Sequence, residues 1–162
     1  LALVAMATKA RAAGMSICGG NCMGFYNNEI GLRVAGYPAL QAMEPGSIGW
    51  LAQSGSVFGA LAHNDERLKF NVAISSGAEL VTTAADYLRW MADHENIRVV
   101  GMFLESVRDP AGFAAALELA ATKDVPVVIL KVGRTAASAE MALSHTGAIA
   151  GSDADYTALF KR

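Results

Sequence analysis

From Gly46 onward the chain alternates short apolar runs with amphipathic stretches of helix length, and this alternation constrains the fold more than any other feature. Ser47 to Ala52, Phe70 to Ile74, Val99 to Leu104 and Val125 to Val132 read as strands. Between them, Ser56 to Leu68 reads as a helix with Val57, Phe58, Leu61 and Ala62 on one face. Val81 to Ala92 turns Val81, Ala84, Ala85, Leu88 and Met91 inward, and Ala111 to Thr122 does the same with Phe113, Ala116, Leu117 and Ala120. Ser152 or Asp153 is expected to cap a last helix through Phe160. Strands that are apolar throughout, separated by single helices, imply a parallel sheet covered on both faces. The repeats predict an α/β fold, a doubly wound parallel sheet with a flavodoxin-like layout, in an order that the pattern does not set.

The part before Gly46 reads differently. Leu1 to Gly14 is rich in alanine and carries Lys9 and Arg11, and it reads as the last helix of a preceding unit, ended by Gly14. Residues 15–45 carry turn signals, including Gly19-Gly20-Asn21 and Pro45-Gly46, and are expected to be irregular. The division expected is therefore the tail of one domain over 1–27, a linker over 28–45, and the alternating domain over 46–162.

Composition narrows the class. Of 162 residues, 53% are hydrophobic and 17% charged, which suits a packed core and not a disordered chain. The net charge of −2 gives no electrostatic grip on nucleic acid or on an anionic membrane. No apolar run approaches the roughly 20 residues that span a bilayer. The two cysteines, Cys18 and Cys22, are too few for a disulfide framework or a structural zinc site, so reduced thiols in a cytoplasmic protein are expected.

In an open parallel sheet, ligands bind beyond the carboxyl ends of the strands. The residues there are Gln53-Ser54-Gly55-Ser56, Ser75-Ser76-Gly77-Ala78-Glu79, Glu105, and Gly133-Arg134 leading to Ser144-His145-Thr146-Gly147. Glycine with serine ahead of a helix exposes backbone N–H groups at the positive end of the helix dipole, which suits a phosphate. It is equally ordinary helix-entry punctuation. A carboxylate ending an apolar strand, Glu105, is suited to orient an imidazole, to act as a base or to cap a helix. His63 and His94 fall on polar sides or ends of expected helices and read as surface residues. His145 sits among small residues, where another group can approach its ring. A neutral imidazole, with an ordinary pKa of about 6.5, is a good nucleophile toward phosphorus. A metal ligand and a chance loop histidine are the alternatives, and no cluster with ligand spacing favours the metal.

Several motifs occur together: Gly20-Asn21-Cys22-Met23-Gly24-Phe25-Tyr26-Asn27, Gln53-Ser54-Gly55-Ser56, Ser75-Ser76-Gly77, Thr82-Thr83-Ala84-Ala85-Asp86-Tyr87-Leu88, Leu104-Glu105, Lys131-Val132-Gly133-Arg134-Thr135 and Ser144-His145-Thr146-Gly147. In this order they resemble the acetate–CoA ligase (ADP-forming) family, acyl-CoA synthetases related to the succinyl-CoA synthetase α subunit. The chain departs from the family pattern at Gly19-Gly20-Asn21, where Gly-Pro-Asn is expected, and at Ala78, where asparagine is frequent.

The resemblance implies a fragment of an enzyme that converts a carboxylic acid, CoA and ATP to acyl-CoA, ADP and phosphate through a phosphohistidine. It implies that His145 carries the phosphoryl group and Glu105 hydrogen-bonds it. Ser54, Gly55, Ser56, Ser76, Gly77 and Gly147 are the expected phosphate-binding residues. Residues 1–27 would be the tail of a CoA-binding Rossmann domain. The complete enzyme would add an ATP-grasp domain or subunit, bring Mg2+ with the nucleotide, and form an oligomer; no metal and no tightly bound cofactor are expected on this fragment. The alternative is a non-catalytic CoA-sensing or regulatory module fused to an enzyme such as an acetyltransferase. The presence of both His145 and Glu105 weighs against it, because a sensor needs neither.

Overall fold

A computed structural model describes residues 2–36, 43–63, 67–133 and 156. Six strands form one mixed sheet: β1 (Gly24–Asn27), β2 (Leu32–Ala35), β3 (Ile48–Ala52), β4 (Phe70–Ser75), β5 (Val99–Leu104) and β6 (Val127–Lys131). Its spatial order is β2-β1-β4-β3-β5-β6. Strands β3 to β6 are mutually parallel and lie in the order second, first, third, fourth, which is the flavodoxin-like arrangement. The chain reverses its direction of winding between β3 and β5, so the ligand crevice of such a sheet is expected at their carboxyl ends.

The helices are α1 (Ala2–Ala12), α2 (Gly55–Ala62), α3 (Ala84–Asp93) and α4 (Pro110–Thr122). One face of the sheet buries Leu51, Val72, Ile74, Val100, Met102 and Leu104 against Leu88 and Met91 of α3 and Phe113 and Ala116 of α4. The other face packs Trp50, Phe70, Ala73 and Tyr26 against Phe58 and Ala62 of α2. These are the inward faces expected from helical spacing, with Val57, Leu61 and Leu117 only partly buried and Val81 half-buried ahead of α3, outside both clusters. Where Trp50 needs room, β5 has Gly101, whose Cβ would lie 3.0 Å from the indole ring.

Two helix boundaries differ from the sequence expectation. Helix α2 ends at Ala62, where the His63 amide turns back to the Gly59 and Leu61 carbonyls, rather than continuing to Leu68. Helix α3 begins at Ala84 rather than near Val81, because Asp86 accepts the Thr83 amide (2.8 Å) and hydroxyl (2.9 Å) and closes the first turn there. The expected last helix falls outside the described residues apart from Tyr156, which is helical.

The largest correction concerns residues 15–45, expected to be irregular and, from 28, a linker. They contain the β1–β2 hairpin, which adds to the sheet antiparallel to β4 with Gly24 opposite Ser75 and Asn27 opposite Val72. The hairpin lets Gly24 approach closely: a Cβ there would lie 1.9 Å from the Val34 carbonyl oxygen. A boundary between 27 and 28 thus falls inside a hairpin, and the sheet is mixed rather than wholly parallel. Among the described residues, no helix is long and apolar enough to cross a membrane.

Candidate functional site

Strand register assembles one edge. In the parallel ladders Ala52 pairs with Ser75 and with Phe103, and Leu104 pairs with Lys131. The ladder runs one step further through Ser76 N–H to the Ala52 carbonyl (2.9 Å), Gln53 N–H to Phe103 (3.1 Å) and Val132 N–H to Leu104 (2.9 Å). Gln53 and Ser76 therefore leave neighbouring strands at the same level, and Glu105 lies one residue beyond them.

Gln53 is buried and its amide makes four hydrogen bonds. Its Oε1 accepts from the backbone N–H groups of Glu105 (2.6 Å) and Ser106 (2.9 Å). Its Nε2 donates to the Ser106 carbonyl and to Glu79 Oε1, both at 2.8 Å. Only one orientation of the amide satisfies these partners, because its oxygen meets two donors and its nitrogen two acceptors.

Glu79, 4% exposed, stands beside it. Its Oε1 also accepts from the Ser76 hydroxyl (2.8 Å), and its Oε2 accepts from the Ala84 amide (3.0 Å) at the start of α3. Burial pushes this carboxyl above its ordinary range, while the hydrogen bonds from Gln53, the Ala84 amide and Ser76 pull the other way. The acceptor-only ionised form matches all these donors. The sequence pattern places Gln53 and Glu79 at the strand ends beside Glu105 but gives neither a role.

Glu105 is half-buried directly beyond β5. Its amide is held by Gln53, and its carbonyl accepts from Lys131 Nζ at 2.9 Å. Lys131 also donates to the Val132 carbonyl and sits 4.1 Å from the centroid of the buried Tyr156 ring. The ends of β3, β5 and β6 are thus tied together around Glu105.

The expected phosphate-binding residues divide. Ser54 is the N-cap of α2, its hydroxyl accepting from the Val57 amide (3.4 Å), and Gly55 and Ser56 open the helix, where first-turn amides have no intrahelical acceptor. Gly55 also has a packing reason: a Cβ would lie 2.7 Å from Met23 Cγ. Ser76 is fully buried with its hydroxyl on Glu79. Gly77 has φ +59° and lies against the backbone of Gly20 and Asn21. The structure brings Ser54, Gly55, Ser56 and Glu105 to one edge. His145 and Gly147 lie outside the described residues.

Of the other histidines, His63 is exposed as expected; it closes α2 and meets the Tyr26 hydroxyl at 3.3 Å. His94, expected on the surface, is half-buried against the Trp90 ring and 3.3 Å from Glu29. Cys18 and Cys22 are free thiols, and among the described residues no group of three or more histidine, cysteine, aspartate or glutamate side chains is placed to hold a metal.

Residues 45–162 match the family model described as the succinyl-CoA ligase like flavodoxin domain. The chain is 33% identical over 157 residues to the α subunit of acetate–CoA ligase [ADP-forming] I of Pyrococcus furiosus, covering 94% of this chain and 33% of that protein. It is 32% identical over 151 residues to 4-hydroxybutyrate–CoA ligase [ADP-forming] of Nitrosopumilus maritimus, covering 91% of this chain and 22% of that protein. A solved structure of dinucleotide forming acetyl-coenzyme A synthetase 1 of Ca. Korarchaeum cryptofilum, in complex with phosphate and ADP, superposes with a TM-score of 0.86 at 26% identity. It covers 98% of this chain and 34% of that one. The chain thus spans about a third or less of the length of these proteins.

Proposed function

The chain belongs to the succinyl-CoA ligase like flavodoxin domain family, and from that we propose that it is the phosphoryl-carrying part of a nucleoside-diphosphate-forming acyl-CoA synthetase. The complete enzyme would take a carboxylic acid, CoA and ATP to acyl-CoA, ADP and phosphate in the cytoplasm. In the first transfer the bond from the γ-phosphorus to the ADP oxygen breaks as a His145 ring nitrogen bonds to phosphorus. In the second, the phosphorus–nitrogen bond breaks as a carboxylate oxygen of the acid bonds to phosphorus, and the CoA thiol then attacks the acyl carbon and displaces phosphate. CoA, the nucleotide and its Mg2+ would be bound largely by units beyond this one, including an ATP-grasp domain or subunit, within an oligomer. Helix α1 and the loop after it read as the end of the CoA-binding unit.

One observation carries the proposal: the chain is anchored at the carboxyl edge of the sheet on both sides of His145. Before it, Lys131 ends β6 and bonds to the Glu105 carbonyl; after it, the buried Tyr156 ring packs on the same lysine. In this reading the Glu105 carboxylate accepts one ring N–H of His145, which selects the tautomer that leaves the other nitrogen free. It also stabilises the ring's positive charge once phosphorylated. The Gly55 and Ser56 amides are the donors for the phosphoryl oxygens.

The test uses the full-length enzyme with γ-labelled ATP. Label is expected in acid-labile, base-stable form on the peptide containing His145, and His145→Ala is expected to abolish both labelling and acyl-CoA formation in a folded protein. Glu105→Gln is expected to slow phosphorylation by on the order of 10- to 100-fold. Undiminished turnover by His145→Ala would end the phosphohistidine reading; a wild-type protein that neither takes up label nor forms acyl-CoA would favour the non-catalytic CoA-sensing module.

A further inference from the structure

A half-buried carboxylate that must meet an imidazole needs its backbone held, because misplacement by about 1 Å costs on the order of 100-fold in rate. Glu105 begins the segment after β5, where the sheet ladder ends. Its amide and that of Ser106 would be orphaned in a mostly buried setting without an acceptor. Gln53 supplies one, taking both N–H groups on a single oxygen and returning a bond to the Ser106 carbonyl. Gln53 is itself held by Glu79, which reaches from the β4 loop to the first amide of α3. Among the described residues, the side-chain hydrogen bonds of Gln53 and Glu79 run to Ser76, Ala84, Glu105, Ser106 and each other.

We propose that Gln53, locked by Glu79, is a positioning residue that sets the Glu105 backbone, and through it the carboxylate, for phosphoryl transfer at His145. This rests on the role given to Glu105 above. The pair links the entry to α2, where Ser54 to Ser56 begin, with the segment carrying Glu105. One side chain thus sets the spacing between the proposed anion donors and the proposed orienting carboxylate.

Isosteric changes test it in the full-length enzyme. Gln53→Glu keeps the acceptor for the two amides but turns an oxygen toward the Ser106 carbonyl and Glu79. Glu79→Gln places an amide N–H₂ against a donor whichever way it is turned: Gln53 Nε2 and Ser76 on one side, the Ala84 amide on the other. Each variant is expected to lower the rate of histidine phosphorylation from labelled ATP by on the order of 10- to 100-fold. KM for nucleotide and acid should stay within about twofold, since neither residue binds them. In a Glu105→Gln background the same changes should have little further effect on that rate, because residues acting through one group are not additive. Wild-type phosphorylation rates in both single variants, or an undiminished fold-loss in the Glu105→Gln background, would overturn the inference while leaving the phosphohistidine reading intact. A Glu105→Gln enzyme that phosphorylates at the wild-type rate would remove the role of Glu105, and this inference with it.

Discussion

A Cβ built on Gly77 would lie 2.3 Å from the Gly20 carbonyl oxygen and 2.4 Å from that of Asn21, at a φ of +59°. The loop of residues 19–21 is held there by Ala78 N–H to Gly20 and Leu80 N–H to Gly19, both at 2.7 Å. The close approach is therefore to the protein's own backbone. Gly77→Ala is expected to cost about 2 kcal/mol or more, from the left-handed conformation and the displaced loop together. Urea denaturation of the 1–162 chain checks this, and an unchanged midpoint would show that the 19–21 loop yields without resistance. The same residues mark what sequence can reveal. The place of Glu105 is legible because a carboxylate directly after six apolar residues has one natural location in a parallel sheet. Gln53 and Glu79 are legible as strand-end residues too, but their bond is not, because it joins positions 26 apart and depends on how three strand ends line up. No local pattern encodes that alignment.

At the scale of elements, the four parallel strands and the faces of α3 and α4 were legible, since each carries several turns or alternations of unambiguous spacing. Strands β1 and β2 were not. Each has four residues, and the Asn28 to Gly31 turn between them makes the region look like punctuation. Leu32 and Val34 are also exposed, so the apolar alternation of β2 points away from the core. The start of α3 was placed about three residues early, because apolar spacing continues back to Val81 while the cap sits at Thr83. The Asp86 carboxylate, accepting both the Thr83 amide and hydroxyl, defines that start. Asp86→Ala is expected to lower stability by about 1 kcal/mol without altering the sheet. A thermal melt shows the loss, and an unshifted melting point would mean that the Ala84 amide held by Glu79 suffices to start the helix.

Across the whole molecule, the matched family region begins at residue 45, yet the sheet does not. Strand β4 is interior only because β1 covers its flank, with Phe25 opposite Ile74 and Tyr26, 2% exposed, opposite Ala73. Cutting the chain to 45–162 would strip that cover. The row of backbone N–H and C=O groups along Val72 to Ser75 would then face water beside a bared patch of Phe58 and Phe70, which Tyr26 normally helps to cover. Such a flank is a template for any passing strand. The trimmed chain is expected to self-associate on size-exclusion chromatography at micromolar concentration, whereas the 1–162 chain elutes as a single compact species. A monodisperse 45–162 chain would show that β4 tolerates an open side. If the trimmed chain clumps as expected, the practical unit of inheritance here is larger than the stretch the family model matches and closer to the length over which relatives align: the hairpin travels with the sheet as its insulation, and any splice or fusion drawn at residue 45 would manufacture a sticky protein from a well-behaved one.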